Sequence, residues 1–428
     1  MSNAFGDPAR DRANGLTAAQ WGTLAAIWLI YGSCYFCRVN VGAANPGITA
    51  ELLSAKQMGI VLASFKICYA LGQLVNGQMA ERFGAKRVLW VGMIGAGLAN
   101  IAFGLGVGFW SLLAAWALNG FFQAGLWPSC VKIMANWFSP FARGRAMGVL
   151  GTSYQLGSAV TMAAMGSLIV AFGGNWRVAF LLPAGAFLLV SIPAALRLRA
   201  RPIASDSTEP TSSIALLAAA TDGLTLRQIL GFTLTNRRVW VLGLSLGGLN
   251  VARFGYLEWI PSYLLKIQKA EIDAASLRMA ILPLGGVLGV LVAGWISDRL
   301  FQTRRAPVIS VMLAGLGVLT LAFDWTASHG GWFSTVVCLS AIGFCIYGPQ
   351  VMLVGTAPAD LARRDLAAAA VGFVDSLAYV GAAVGSWLTG RLVQDHGWHA
   401  TMLMWAGTAF AAALLTATLW NARAESHG

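Results

Sequence analysis

Tyr31-Gly-Ser-Cys-Tyr-Phe-Cys-Arg38-Val-Asn40 places an arginine inside an apolar run that begins at Trp21. A second arginine does the same in Gly248-Leu-Asn-Val-Ala-Arg253-Phe-Gly-Tyr256. A charged side chain at the centre of a membrane helix costs roughly 2.5–3.5 kcal/mol on the insertion scale. A chain that keeps two of them needs a task for both, and holding an anion is the task a guanidinium suits.

Working outward from these stretches, apolar segments of membrane-spanning length recur from Trp21 to Trp420. The chain is 57% hydrophobic and only 11% charged, with a mean hydropathy of +0.67. Soluble domains carry about 25% charged residues. Spans are expected at 20–43, 57–80, 88–108, 111–136, 145–171, 177–197, 239–266, 277–298, 307–325, 332–356, 366–393 and 399–420. The expected fold class is therefore an all-α polytopic membrane protein of twelve transmembrane helices, in contact with a lipid bilayer along its length. The net charge of +12 falls mostly on alternate loops: Arg82, Lys86 and Arg87; Arg143 and Arg145; Arg197 to Arg238; Arg299, Arg304 and Arg305; Arg363 and Arg364. This asymmetry places both termini in the cytoplasm and makes the basic excess a topology signal, with no nucleic-acid partner implied. Met1 to Gln20 has no cleavable signal pattern. The six cysteines all fall in expected spans. Cys34-x-x-Cys37 lacks the strand context of a redox motif and reads as helix packing.

A hydrophilic break divides the spans six and six. The expected organisation is a cytoplasmic tail at 1–19, a six-helix bundle at 20–197, a linker at 198–237, a second bundle at 238–420 and a tail at 421–428. The bundles match each other. Gly77-Gln-Met-Ala-Glu81-Arg82 ends the second span and Gly294-Trp-Ile-Ser-Asp298-Arg299 ends the eighth. Gly120-Phe-x-x-x-Gly125 in the fourth is echoed by Gly343-Phe-x-x-x-Gly348 in the tenth. Arg38 and Arg253 precede the Gly-x-x-small-acid-Arg motifs by 39 and 41 positions. Pseudo-symmetry of the two bundles then sets the arginines facing each other near mid-membrane, where transporters built from repeats bind substrate.

These motifs resemble those of the major facilitator superfamily over nearly the whole chain. Tyr35-Phe-Cys-Arg38-Val-Asn40, Trp127-Pro128-Ser-Cys130 with Trp137 and Arg143-Gly144, Arg253-x-x-x-x-Glu258-Trp259-x-x-Ser-Tyr263, Tyr347-Gly-Pro-Gln350 and Gly372-Phe-x-x-x-x-Ala-Tyr379-x-Gly381 resemble its organophosphate:inorganic-phosphate antiporter branch. That branch includes glycerol-3-phosphate and hexose-phosphate transporters and a related hexose-phosphate sensor. The resemblance implies a bacterial inner-membrane protein, functional as a monomer, that exchanges an organophosphate for inorganic phosphate without a cofactor.

Arg38 and Arg253 match the phosphate-binding arginines of the branch. A guanidinium donates bidentate bonds to phosphate oxygens and stays charged without water. Each could instead snorkel to an interface or pair with a carboxylate such as Glu258. Tyr31 and Tyr35 share a helix face with Arg38 and could bond a substrate or simply pack. The expected binding set adds Lys66, Tyr69, Gln73, Tyr154, Tyr347, Asp375 and Tyr379. Several of these depart from the glycerol-3-phosphate pattern. Val39 and Gln73 stand where that pattern has lysines, Tyr154 stands where it has histidine, and Lys66 is basic where relatives are uncharged. Asp375 replaces a usual glycine. It is open to three readings: a pair with Lys66 or Lys132, a contact with a substrate ammonium in an aminoalkyl phosphonate or phosphoserine-like compound, or a proton-coupling site. Glu81, Arg82, Asp298, Arg299 and Arg143 are expected at a cytoplasmic gate, and Lys132 and Glu258 in the gate or the scaffold.

The expected activity is import of a phosphorylated or phosphonate organic anion in exchange for phosphate, by rocking of the two bundles. A proton-coupled organic-anion symporter and a transporter-like sensor are the alternatives. No Walker sequence, nucleophile–base constellation or metal-ligand cluster points to an ATP motor or an enzyme. His396 and His399, beside a loop, are too few for either.

Overall fold

Thr17 and Ser54 begin two of the rods with the same device. Each side chain accepts from the backbone three residues on, while Gln20 or Gln57 reaches back to the cap, satisfying the otherwise orphaned first-turn donors. The computed structural model describes residues 16–138, 140–200, 234–301, 304–358 and 367–422. Most of the expected linker, 201–233, lies outside the described residues. The helices are α1 (Ala18–Ser33), α2 (Asn40–Glu51), α3 (Ala55–Phe83), α4 (Ala85–Gly104), α5 (Phe109–Gln123), α6 (Leu126–Trp137), α7 (Pro140–Ala171) and α8 (Val178–Arg197) in the first half. The second half holds α9 (Arg237–Gln268), α10 (Ile272–Arg299), α11 (Arg305–His329), α12 (Trp332–Val351), α13 (Ala367–Asp395) and α14 (Gly397–Ala417).

These fourteen segments make twelve rods, because α1 with α2 and α5 with α6 are each one interrupted rod. Among the described residues, ten rods are individually long and apolar enough to cross a membrane. The other two are the rod broken at Ala124–Gly125 and the arginine-bearing α9. The first rod differs from expectation: it runs on to Glu51 rather than ending near 43, with Pro46 inside it. The outward faces carry exposed Leu189, Leu414 and Val91, the reverse of a soluble protein and the surface that lipid requires. The chain is a multi-pass membrane protein.

Glycines set how closely the rods approach. A Cβ on Gly120 would run into Phe65 O of α3, and one on Gly343 into Leu282 O of α10. The sequence echo between these glycines is thus the same small-residue crossing made once in each half. Between the halves, α3 packs on α13, α7 on α10 and α2 on α9. These contacts gather at the end of the bundle away from the termini. There Gly59 lies against Ser386 O and Gly390, Gly166 against Ile272 and Asp273, and Gly42 against Leu257 O. Lys56 Nζ reaches Asp395 Oδ1 at 2.8 Å and Lys56 N donates to Gln394 Oε1 at 3.0 Å across the same seam. Toward the termini the halves separate: Cβ atoms on Gly148 and Gly151, which border the central cavity, would meet nothing within 4 Å.

Candidate functional site

The first rod breaks at the quoted motif. Cys34–Cys37 is a 3-10 turn, and the helix resumes at Asn40. Such a break frees backbone carbonyls that need donors inside the membrane. Cys37 O receives three: Asn100 Nδ2 at 2.9 Å, Asn119 Nδ2 at 2.8 Å and Gln123 Nε2 at 2.9 Å. Asn40 Nδ2 adds bonds to Asn100 Oδ1 and Ala179 O at 3.0 and 2.8 Å. This buried amide network fixes the turn, and the turn fixes Arg38.

Arg38 is held from three sides. Its Nε donates to Gln123 Oε1 at 2.8 Å and Nη1 to Tyr35 Oη at 3.2 Å. The guanidinium also lies 4.9 Å from the Tyr35 ring centre and 4.7 Å from that of Tyr69. Nη2 is enclosed and has no partner among the described residues. Arg253 sits in the uninterrupted α9, 8% exposed, between the rings of Phe254 and Tyr347 at 4.9 and 5.5 Å. Its Nε is likewise buried without a partner. Neither arginine forms an ion pair with a carboxylate among the described residues. Unmatched buried donors on a charged group cost more than the roughly 1–3 kcal/mol of a neutral one, and an anion between them would supply the acceptors.

Both arginines line one cavity of about 720 Å³ between the halves. Its wall brings together Tyr31, Tyr35, Tyr69, Gln73, Tyr154, Tyr347, Asp375 and Tyr379 of the expected set. Tyr31, Tyr35 and Tyr154 form a ring file with centroids 5.9 and 5.8 Å apart, while Tyr69 stacks on Tyr379 at 4.5 Å across the seam. Asp375 faces Gln73, with both guanidinium charges acting on it from farther off, and pairs with no described lysine or arginine.

Lys66 is the exception to the expected set. It is fully buried and absent from the cavity wall, because it forms an ion pair with Glu258 of the opposite half. Ser386 Oγ donates to the other Glu258 oxygen at 2.9 Å, and Asn45 Nδ2 to the Glu258 carbonyl at 2.8 Å. Glu258 also borders the cavity, so a residue expected in the gate or scaffold ties the halves together at the site itself. The proposed pairing of Asp375 with Lys66 is therefore overturned: the ammonium is already neutralised. Lys132 Nζ donates to Ala80 O at 2.9 Å. Arg82 and Arg299 are exposed at the open end. The side chains of Glu81, Arg143 and Asp298, named for the gate, lie outside the described residues.

Sequence reasoning missed Gln123, which orients Arg38, and Gln155, Ser158 and Phe254 on the wall. Gln123 carries a readable signal, a buried-type amide one turn beyond Asn119 in an apolar span. Only tertiary contact shows that both point at Cys37.

Comparison with known proteins agrees with this arrangement. The Major Facilitator Superfamily profile matches residues 27–385 and 273–428. The membrane sensor protein UhpC of Salmonella typhimurium is 30% identical over 94% of this chain and 92% of its own length. A probable hexose phosphate transport protein of Chlamydia trachomatis is also 30% identical, over 94% and 91%. The glycerol-3-phosphate transporter of Bacillus subtilis is 27% identical over 92% and 91%. Among solved structures, an inward-facing, unoccupied bacterial homologue of the human lysosomal transporter Spinster superposes with a TM-score of 0.72 at 17% identity, covering 95% of this chain and 96% of that one. The paired halves, the interrupted first rod and the matched family profile agree, and the chain belongs to the major facilitator superfamily.

Proposed function

We propose that the protein is a secondary transporter that binds a phosphorylated or phosphonate small organic anion between Arg38 and Arg253 and exchanges it for inorganic phosphate. One observation carries this reading: an arginine from each half lines a single cavity, with buried N–H donors unmatched and no carboxylate paired to either among the described residues. The hexose-phosphate and glycerol-3-phosphate names of the relatives support the phosphoryl group. Tyr31, Tyr35, Tyr69, Gln73, Tyr154, Tyr347 and Tyr379 supply the polar and aromatic surround. The cavity's open end faces the cytoplasm of a bacterial inner membrane, with both termini on that side and Arg82 and Arg299 at its rim.

Binding of phosphate by both arginines draws the halves together at the open end, which the empty, doubly cationic site does not favour. Exchange follows, because the site crosses the membrane readily only when filled. The monomer contains both halves and suffices for the cycle.

Proteoliposomes loaded with phosphate and offered labelled phosphate, hexose phosphates and glycerol-3-phosphate test this directly. Exchange requiring internal phosphate is the expected result. Uptake that ignores internal phosphate and follows a proton gradient would replace antiport by symport. Ligand binding with no flux of any of these compounds would make the protein a sensor, as one relative's name has it.

A further inference from the structure

The cavity wall carries four charged side chains among its described residues: Arg38, Arg253, Glu258 and Asp375. Glu258 is neutralised by Lys66 and bonded by Ser386. Asp375 has no such counter-charge: it forms no ion pair with any described cation, and the side chain that hydrogen-bonds it, Gln73, is uncharged. The site thus presents two positive charges and one unmatched negative charge. A phosphoryl dianion alone leaves it with a net negative charge inside a membrane protein. A phosphoryl dianion that also carries an ammonium brings the sum to zero.

The layout separates the two kinds of charge. The Arg38 guanidinium lies on the Tyr69 ring, Tyr69 stacks on Tyr379, and Tyr379 is one helical turn from Asp375 on α13. The guanidinium thus packs on one ring of the pair, and the carboxylate stands one helical turn from the other. A ligand bridging them has an anionic end, a short alkyl spacer and a cationic end. The tyrosine rings beside Asp375 also suit an ammonium, whose charge is attracted to aromatic surface.

On this basis, which rests on the phosphoryl site described above, we propose that the cavity selects an aminoalkyl phosphonate or aminoalkyl phosphate, with Asp375 receiving its ammonium. Asp375 then acts as a specificity residue, rejecting the desamino analogue because that analogue fills the cavity yet leaves the carboxylate without a counter-charge.

The test compares 2-aminoethylphosphonate with ethylphosphonate, which lacks the ammonium, at a pH alkaline enough that both phosphonates are dianions while the amine stays protonated. Affinities are read from ligand-induced thermal stabilisation of the full-length protein in detergent, and again from inhibition of labelled phosphate exchange in proteoliposomes. The expected preference for the amino compound is about tenfold or more, the scale of one charge-assisted hydrogen bond. In Asp375→Asn the ratio should fall to about twofold or less, and in Asp375→Glu, which keeps the charge, the amino compound should remain preferred. A wild-type ratio near one, or a preference that survives in Asp375→Asn, overturns the inference. Uptake that needs a proton gradient and is lost in Asp375→Asn, with no amino preference in the wild type, assigns the carboxylate to proton coupling and overturns it as well. Phosphate exchange without amino preference sinks this inference alone, whereas a wild-type protein that binds neither phosphate nor either phosphonate sinks the phosphoryl site and this inference together.

Discussion

Arg38 and Arg253 occupy matching places in the two repeats, yet the protein holds them by different means. Arg38 follows a 3-10 interruption and is clamped by Gln123 and Tyr35, with an amide network behind it. Arg253 rises from the middle of an unbroken 32-residue helix and is steadied mainly by aromatic faces. Its helix carries Glu258 five positions on, locked to Lys66 in the other half. Duplication preserved where each charge sits, while drift changed what surrounds it. The first arginine is a fixed post; the second belongs to a helix that is itself tied across the seam.

The comparison is broken most severely by removing the fork from either arginine. Arg38→Lys and Arg253→Lys keep the charge but lose planar bidentate geometry. Each should lower phosphate exchange by at least about 30-fold, matching the 2–5 kcal/mol typical of disrupting a buried charged contact. If either lysine variant exchanges phosphate normally in proteoliposomes, that arginine is scaffold.

The next effect is on stability and belongs to the Arg253 side. Lys66→Met leaves Glu258 as an uncompensated buried charge and should cost about 3–5 kcal/mol, read by unfolding in detergent. Lys66→Met combined with Glu258→Gln should recover most of that loss. A double variant as unstable as the single one would show that Lys66 supports the fold by packing, not by charge.

Gln123→Met sharpens the asymmetry. It removes the acceptor that aims Arg38 and should weaken phosphate binding about tenfold. Arg253 has no amide counterpart to lose. Unchanged affinity in Gln123→Met would mean that Tyr35 and the rings suffice to place the guanidinium.

The smallest effect lies at the closed end, away from both arginines. Lys56 and Asp395 are 44% and 30% exposed, so Lys56→Gln should change stability by less than about 1 kcal/mol. A larger change would mark this pair as a principal clasp between the halves.

Much of this was legible in the chain itself. Spanning rods follow from long apolar runs, because a backbone in lipid must satisfy its own hydrogen bonds and helices do so locally. The paired arginines and the glycine echoes were visible because duplication leaves equal spacing in the sequence. Lys66 misled for an equally physical reason. Its helical phase relative to Gln73 puts it near the cavity, but phase cannot reveal that a glutamate almost two hundred residues later has taken its charge. The 3-10 break was also hidden, since the residues Cys34–Cys37 favour helix as readily as turn until Asn100, Asn119 and Gln123 offer donors to the Cys37 carbonyl.

The sequence by itself determined the membrane rods, their division into two related halves and the two intramembrane arginines, all of which depend on composition and local period. The tertiary structure alone decided which end is closed, which cation neutralises Glu258 and that Asp375 meets no cation among the described residues. Those outcomes depend on side chains meeting across the seam between halves, and such meetings have no period along the chain.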